Sequence, residues 1–165
     1  SCPATSPPSD FTNGVESNSL PVFSDNSFRE KYNLGKTPFL LFIGTLSSIK
    51  GPDLLLKAFK RIQHIFPSYH LVLAGKSRGM LKDLKKYVKT SDLEGKVHFI
   101  GFLDNIDKFH AYHAADLLVV PSRSEVISMV ALEAGLASTP VLITDKCGFN
   151  ELSKINGGVV VAATV

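Results

Sequence analysis

A chain of 165 residues that is 44% hydrophobic has the makings of one ordinary domain, burying about two thirds of the surface it exposes when unfolded. A net charge of +3, with no aromatics interleaved among the basic runs, argues against a nucleic-acid surface, and the apolar runs fall well short of the roughly 20 residues of a membrane helix. Two cysteines, Cys2 and Cys147, and no stretch resembling a secretory signal argue against a disulfide framework and point to a reducing, cytoplasmic compartment.

Residues 1–10 are rich in Pro and Ser and read as a tail or linker that burial cannot order. Asn13-Gly14 is a turn signal, and up to Lys36 the only helical candidate lies near Ser27 to Tyr32. Residues 1–37 are therefore expected as tail, linker and connection, and 38–165 as the domain. From Pro38 the pattern becomes an alternation of continuous apolar runs with amphipathic segments. Strands are expected at PFLLFIG ending at Gly44, YHLVLAG ending at Gly75, VHFIG ending at Gly101, Asp116 to Val120, Pro140 to Thr144 and Gly158 to Ala162. Helices are expected from Gly51-Pro52-Asp53, over Met80 to Lys89, over Ile106 to Ala114 and after Glu125. Six strands with crossover helices imply an α/β fold, a doubly wound parallel sheet.

The stretch Pro121 to Pro140, PSRSEVISMVALEAGLASTP, carries the strongest functional signal. A strand ends, a polar loop follows and a small-residue helix begins, which is where open α/β sheets bind ligands. Unpaired amides of Val126, Ile127, Ser128 and Met129 at the helix start would favour an anion. Glu125 is expected just before the helix and Glu133 about one and a half turns inside it. Glu133 is flanked by Val130, Ala131, Leu132, Ala134, Leu136 and Ala137, so its carboxylate needs a partner. Glycines at 44, 75 and 101 allow a ligand close to the backbone along the same edge, although turn geometry accounts for any one of them.

Several other chemistries lack their residues. No G-x-G-x-x-G follows the first strand, and no G-x-S-x-G elbow exists. Gly75-Lys76-Ser77 ends like a P-loop, but His70 stands where the earlier glycine belongs. His110 and His113 are three apart on one helix without a Cys, Asp or Glu to complete a metal set, so no metal is expected. Lys76 to Lys96 holds seven Lys or Arg against three acids, a solvated face or one that rests on an anionic membrane.

Taken together, PSRSE, the seven residues that separate Glu125 from Glu133, LEAGLASTPVL, the turn at Asn13 to Val15, Lys50-Gly51, VHFIGF, AYHAADLLVVPS, Gly148 to Glu151 and Asn156 to Gly158 resemble glycosyltransferase family 4 over roughly residues 12–161. The resemblance implies a Rossmann-like C-terminal, donor-binding half of a GT-B fold, truncated at both ends relative to that family and inactive without the acceptor-binding N-terminal half. It implies a retaining transfer of a sugar from a nucleotide diphospho-sugar, UDP- or GDP-linked, to a glycan or glycolipid acceptor. No cofactor is implied. By motif, Lys50 would contact the diphosphate, Glu125 the sugar hydroxyls and Glu133 the ribose, with Gly44, Thr45 and the amides of Val126 to Met129 also on the donor and the base near the loops after Gly75 and Gly101. Such an enzyme works in the cytoplasm, in places at the inner membrane surface. Two departures stand out: Thr45 replaces the Arg usual after the first strand, and Val126, Ile127 and Ser128 replace Gly-Phe-Gly. They favour the rival expectation, a degenerate domain that binds a nucleotide or sugar nucleotide without turnover.

Overall fold

The computed structural model describes residues 25–148, 152, 154 and 158–164. The expected turns at Asn13 to Val15 and around Asn156, most of Gly148 to Glu151, and Cys2 lie outside the described residues. Six parallel strands form one sheet: β1 (Phe39–Ile43), β2 (His70–Ala74), β3 (Val97–Gly101), β4 (Leu117–Val120), β5 (Val141–Thr144) and β6 (Gly158–Val161), in the order β3-β2-β1-β4-β5-β6. This is the Rossmann order. The chain moves outward from β1 through β2 to β3, then returns to the other side of β1 as β4, so the loops after β1 and β4 diverge from adjacent strands.

The strands are apolar on both faces because both faces are covered. On one side α2 (Pro52–Ile62) and α3 (Leu81–Thr90) pack Leu55, Phe59, Leu84 and Val88 against Phe42, Leu71 and Leu73. On the other, α1 (Asp25–Lys31), α4 (Asn105–Ala114) and α5 (Met129–Leu136) meet Phe39, Leu41, Val72 and Leu118. Ala131 and Ala134 are the buried residues of α5, and their size lets the helix sit close to the sheet. Local chemistry sets the helix starts: Gly51 in a left-handed cap precedes Pro52, and the Asp104 side chain accepts from the Asp107 amide at 2.8 Å.

Residues 25–37, expected as connection, belong to the core. Phe28 of α1 is buried against Phe39, and Arg29 donates to the carbonyls of Thr37 at 2.7 Å and Ala114 at 2.6 Å, tying α1 to the end of α4. The helix itself was expected near Ser27 to Tyr32, but one buried face over seven residues is too short a pattern to mark it as part of the core. The helix after Glu125 also differs from expectation. It starts at Met129, so Val126 to Ser128 are loop, Glu125 stands three residues before the Ser128 cap, and Glu133 is the fifth helical residue.

Two glycines bring separate loops together. At Gly51, φ is +69°, and an added Cβ would lie 2.1 Å from the Pro121 carbonyl oxygen, so the β1 and β4 loops approach only because no side chain intervenes. At Gly75 an added Cβ would meet the Gly44 carbonyl oxygen at 1.8 Å, which makes that glycine a requirement of loop packing and not an opening for a ligand. Gly51→Ala is expected to lower stability by about 2 kcal/mol or more, read from urea unfolding. Gly79→Ala, with φ +86° but open space around the added methyl, should lose only about 1 kcal/mol and so separates backbone strain from collision.

Candidate active site

The loop after β4 is fixed from three sides. Arg123 makes paired bonds to the Asp53 carboxylate at 2.8 and 2.7 Å, and its amide donates to the Ile49 carbonyl at 2.7 Å, joining this loop to the one after β1. The Glu125 amide donates to the Lys146 carbonyl at 2.9 Å, and the left-handed Gly148 gives the Val126 carbonyl room. Thr144 donates to the Ser122 carbonyl from beneath.

These ties hold the Lys50 ammonium 2.7 Å from Glu125 Oε1, while the buried Ser122 hydroxyl donates to Oε2 at 2.9 Å. The side chains of Lys50 and Glu125 are 33% and 13% exposed, so the pair is partly desolvated yet reachable. Beside it, the backbone amides of Val126 to Met129 have no hydrogen-bond partner among the described residues. Ser128 caps α5 without a side-chain bond, and its buried hydroxyl is likewise unpartnered there. An ammonium, a carboxylate and free amides at a helix start form a setting for an anion that also carries hydroxyls.

Glu133 finds its partners on α4. Lys108 donates to both carboxylate oxygens at 2.9 and 3.0 Å, and the Tyr112 hydroxyl donates to Oε2 at 2.7 Å. Burial first, and then Glu133, push the Tyr112 phenol far above its ordinary pKa, so it remains a donor. Lys108 also borders a cavity of about 310 Å³ over the ends of β1, β2 and β3, together with Gly44, Thr45, Gly75, Lys76 and Phe102. The Lys76 ammonium lies 4.8 Å from the centre of the Phe102 ring. Lys50 adjoins the same region, its Cγ 3.9 Å from where a Cβ on Gly44 would stand.

The sequence-predicted residues thus gather at the carboxyl edge, with Lys50 directly on Glu125 and Glu133 reached through Lys108. Sequence reasoning missed Lys108, Tyr112, Ser122 and the Arg123–Asp53 tie. The i, i+4 spacing of Lys108 and Tyr112 on one helix was the available signal; their partner, 21 to 25 residues away, was not. His110 Nδ1 lies 3.1 Å from the Ser27 hydroxyl, and among the described residues no three His, Cys, Asp or Glu gather as a metal set.

A parallel sheet in Rossmann order, with helices on both faces, is the fold of glycosyltransferases of the GT-B type. The model of the family described as glycosyl transferases group 1 matches residues 24–164, and the chain belongs to that family. Mannosylfructose-phosphate synthase of Agrobacterium fabrum is 37% identical over 112 residues, covering 64% of this chain and 25% of the relative. The O-antigen biosynthesis glycosyltransferase WbnH of Escherichia coli is 36% identical over 118 residues, covering 72% of this chain and 32% of the relative. Among solved structures, Anabaena HepE in complex with UDP superposes with a TM-score of 0.74 at 25% identity, over 84% of this chain and 38% of that one. The chain spans about a quarter to a third of the curated relatives it matches.

The Arg123–Asp53 tie has a pH signature. The hydrogen bond from Arg123 holds the Asp53 carboxyl below its ordinary range. A depressed folded-state value means that the contribution is complete above the unfolded pKa and is lost as pH falls through the folded one. Asp53→Asn should therefore be less stable than the parent at neutral pH, by about 1 kcal/mol or less given its exposure, with the difference closing in acid. Unfolding midpoints measured from neutral to acid pH check it; a constant offset would refute the linkage.

Proposed function

We propose that this chain is the donor-binding half of a retaining, family 4 glycosyltransferase that moves a sugar from a UDP- or GDP-linked donor to a glycan or lipid-linked acceptor. The observation that carries the reading is the Lys50–Glu125 contact at 2.7 Å beside the amides of Val126 to Met129, which have no hydrogen-bond partner among the described residues. Lys50 and those amides receive the diphosphate, and Glu125 accepts from hydroxyls of the donor sugar. Glu133, oriented by Lys108 and Tyr112, accepts from the ribose hydroxyls. The base occupies the cavity near Lys76 and Phe102, after the Gly75 and Gly101 loops. The family membership supports sugar transfer, and the complex of the fold neighbour HepE with UDP supports a nucleotide sugar as donor.

The chemistry follows from the charges. As the bond from the anomeric carbon to the diphosphate breaks, negative charge grows on the leaving oxygen, and a fixed ammonium with the amides of Val126 to Met129 stabilises it more than the ground state. No metal is required for that step on this reading, and none is assigned. Turnover needs an acceptor-binding domain, so the reading places the reaction in the whole enzyme, in the cytoplasm with peripheral access to the inner membrane surface.

The rival, a domain that binds a sugar nucleotide without turnover, draws on Thr45, which removes one positive charge from the donor site. Joined to an acceptor-binding domain and supplied with a panel of UDP- and GDP-sugars and glycan or lipid acceptors, the protein should transfer or hydrolyse the donor; binding with neither outcome favours the rival. On the isolated chain, titration with UDP and GDP should give Glu133→Gln an affinity lowered about tenfold to a hundredfold, since each charge-assisted bond contributes about 1.5 to 3 kcal/mol. Equal affinity in parent and variant removes Glu133 from the ribose role.

A further inference from the structure

Ten of the 18 Lys and Arg lie between Lys57 and Lys96, against three of the 15 Asp and Glu, so this stretch carries +7 and the remainder of the chain −4. The fold collects that charge on one side. The helices α2 and α3 pack side by side on the same face of the sheet and turn their apolar residues inward. Their outer surfaces expose Lys57, Lys60 and Arg61 on α2 and Lys82, Lys85, Lys86 and Lys89 on α3. Asp83 is the one acid in their exposed outer rows. None of the seven cations makes an ion pair among the described residues.

An apolar tip adjoins this face. Lys60 donates to the Ser91 carbonyl and Lys96 to the Pro67 carbonyl at 2.7 Å, which draws the turn after α2 against the segment after α3. Within that turn Ile65 is 60% and Phe66 50% exposed, with the Phe66 ring set edge-on to Tyr69. Large adjacent apolar side chains in water beside a concentrated positive field are unfavourable on both counts for a free surface.

We propose that the α2–α3 face, with Ile65 and Phe66 at its end, docks on an anionic lipid bilayer. Six of the seven outward cations are lysines, compact charges suited to a diffuse layer of headgroups and not to the forked recognition that arginine provides. The apolar pair enters the interfacial zone, which a soluble polyanion does not offer. A single-stranded nucleic acid would use a row of aromatic stacking platforms, and between its lysines this face offers Tyr87 alone, half-buried in the groove between α2 and α3. Both helices start at the carboxyl edge and run away from it, so a bilayer against them leaves the cavity mouth opening along the membrane plane. The proposal concerns a different surface from the donor site and is tested without any sugar transfer.

Co-sedimentation of the 165-residue chain with phosphatidylcholine vesicles, with and without phosphatidylglycerol, tests it. Binding should require the anionic lipid and weaken as salt is raised. Lys85→Gln, Lys86→Gln and Lys89→Gln combined should lower affinity about a hundredfold. A charge-matched control, Lys31→Gln, Lys36→Gln and Lys154→Gln, should change it by about twofold or less, and Ile65→Ser with Phe66→Ser should weaken binding with net charge unchanged. Circular dichroism verifies that each variant is folded, and the single Ile65→Ser variant serves if the pair is not. Absence of binding to anionic vesicles at low salt, equal losses in the two lysine triples, or equally tight binding of poly-dT with no dependence on Ile65 and Phe66 would each overturn the proposal.

Discussion

The meeting of Lys50 with Glu125 depends on how closely two backbones approach. The residues are 75 apart in sequence and come from loops that leave neighbouring parallel strands. Gly51 lets the first loop press on the Pro121 carbonyl, and Arg123 then clamps it through Asp53 and Ile49. Rossmann order supplies the adjacency, because β1 and β4 are where the chain reverses its direction of travel across the sheet. A side chain at position 51 would push apart the two loops that carry the ammonium and the carboxylate.

The same contact solves a charge problem. A partly buried carboxylate must be compensated, and each of the two glutamates has a lysine: Lys50 for Glu125 and Lys108 for Glu133. Neither pairing exhausts its groups. An ammonium has three donors and a carboxylate about four acceptor positions, so both can take ligand bonds without releasing each other. On the reading proposed above, the side chains are therefore held in place before the donor arrives, and little of its binding energy goes into ordering them.

Much of the fold was legible because buried parallel strands leave a strong trace. Runs such as Phe39–Ile43 and Leu117–Val120, spaced by amphipathic segments, indicate the sheet, and the strand bounds differ from expectation by only a residue or so. What the chain does not display is pairing across distance. Glu133 among apolar neighbours announces the need for a partner, but only the packing of α4 beside α5 identifies Lys108 and Tyr112. The α5 start was misread for a local reason: Val126 and Ile127 are β-branched, and Ser128 is a capping residue, so the free amides sit in an extended loop and not in a first helical turn. Phe28 escaped because a single buried ring on α1 makes no periodicity.

The two departures from the family pattern weigh less in three dimensions than in sequence. Glycines in a donor loop matter where φ is positive or a side chain would block the ligand. Residues Pro121 to Ser128 contain no positive φ, and the Val126 side chain is 87% exposed, outside the cavity lining, while its carbonyl rests against Gly148. The close approach that does need a glycine here is the one between two loops, at Gly148. Thr45 does remove a charge beside Gly44, yet Lys76 brings an ammonium to the same cavity from the end of β2, with no acid paired to it among the described residues. The site therefore keeps its positive character by a different route.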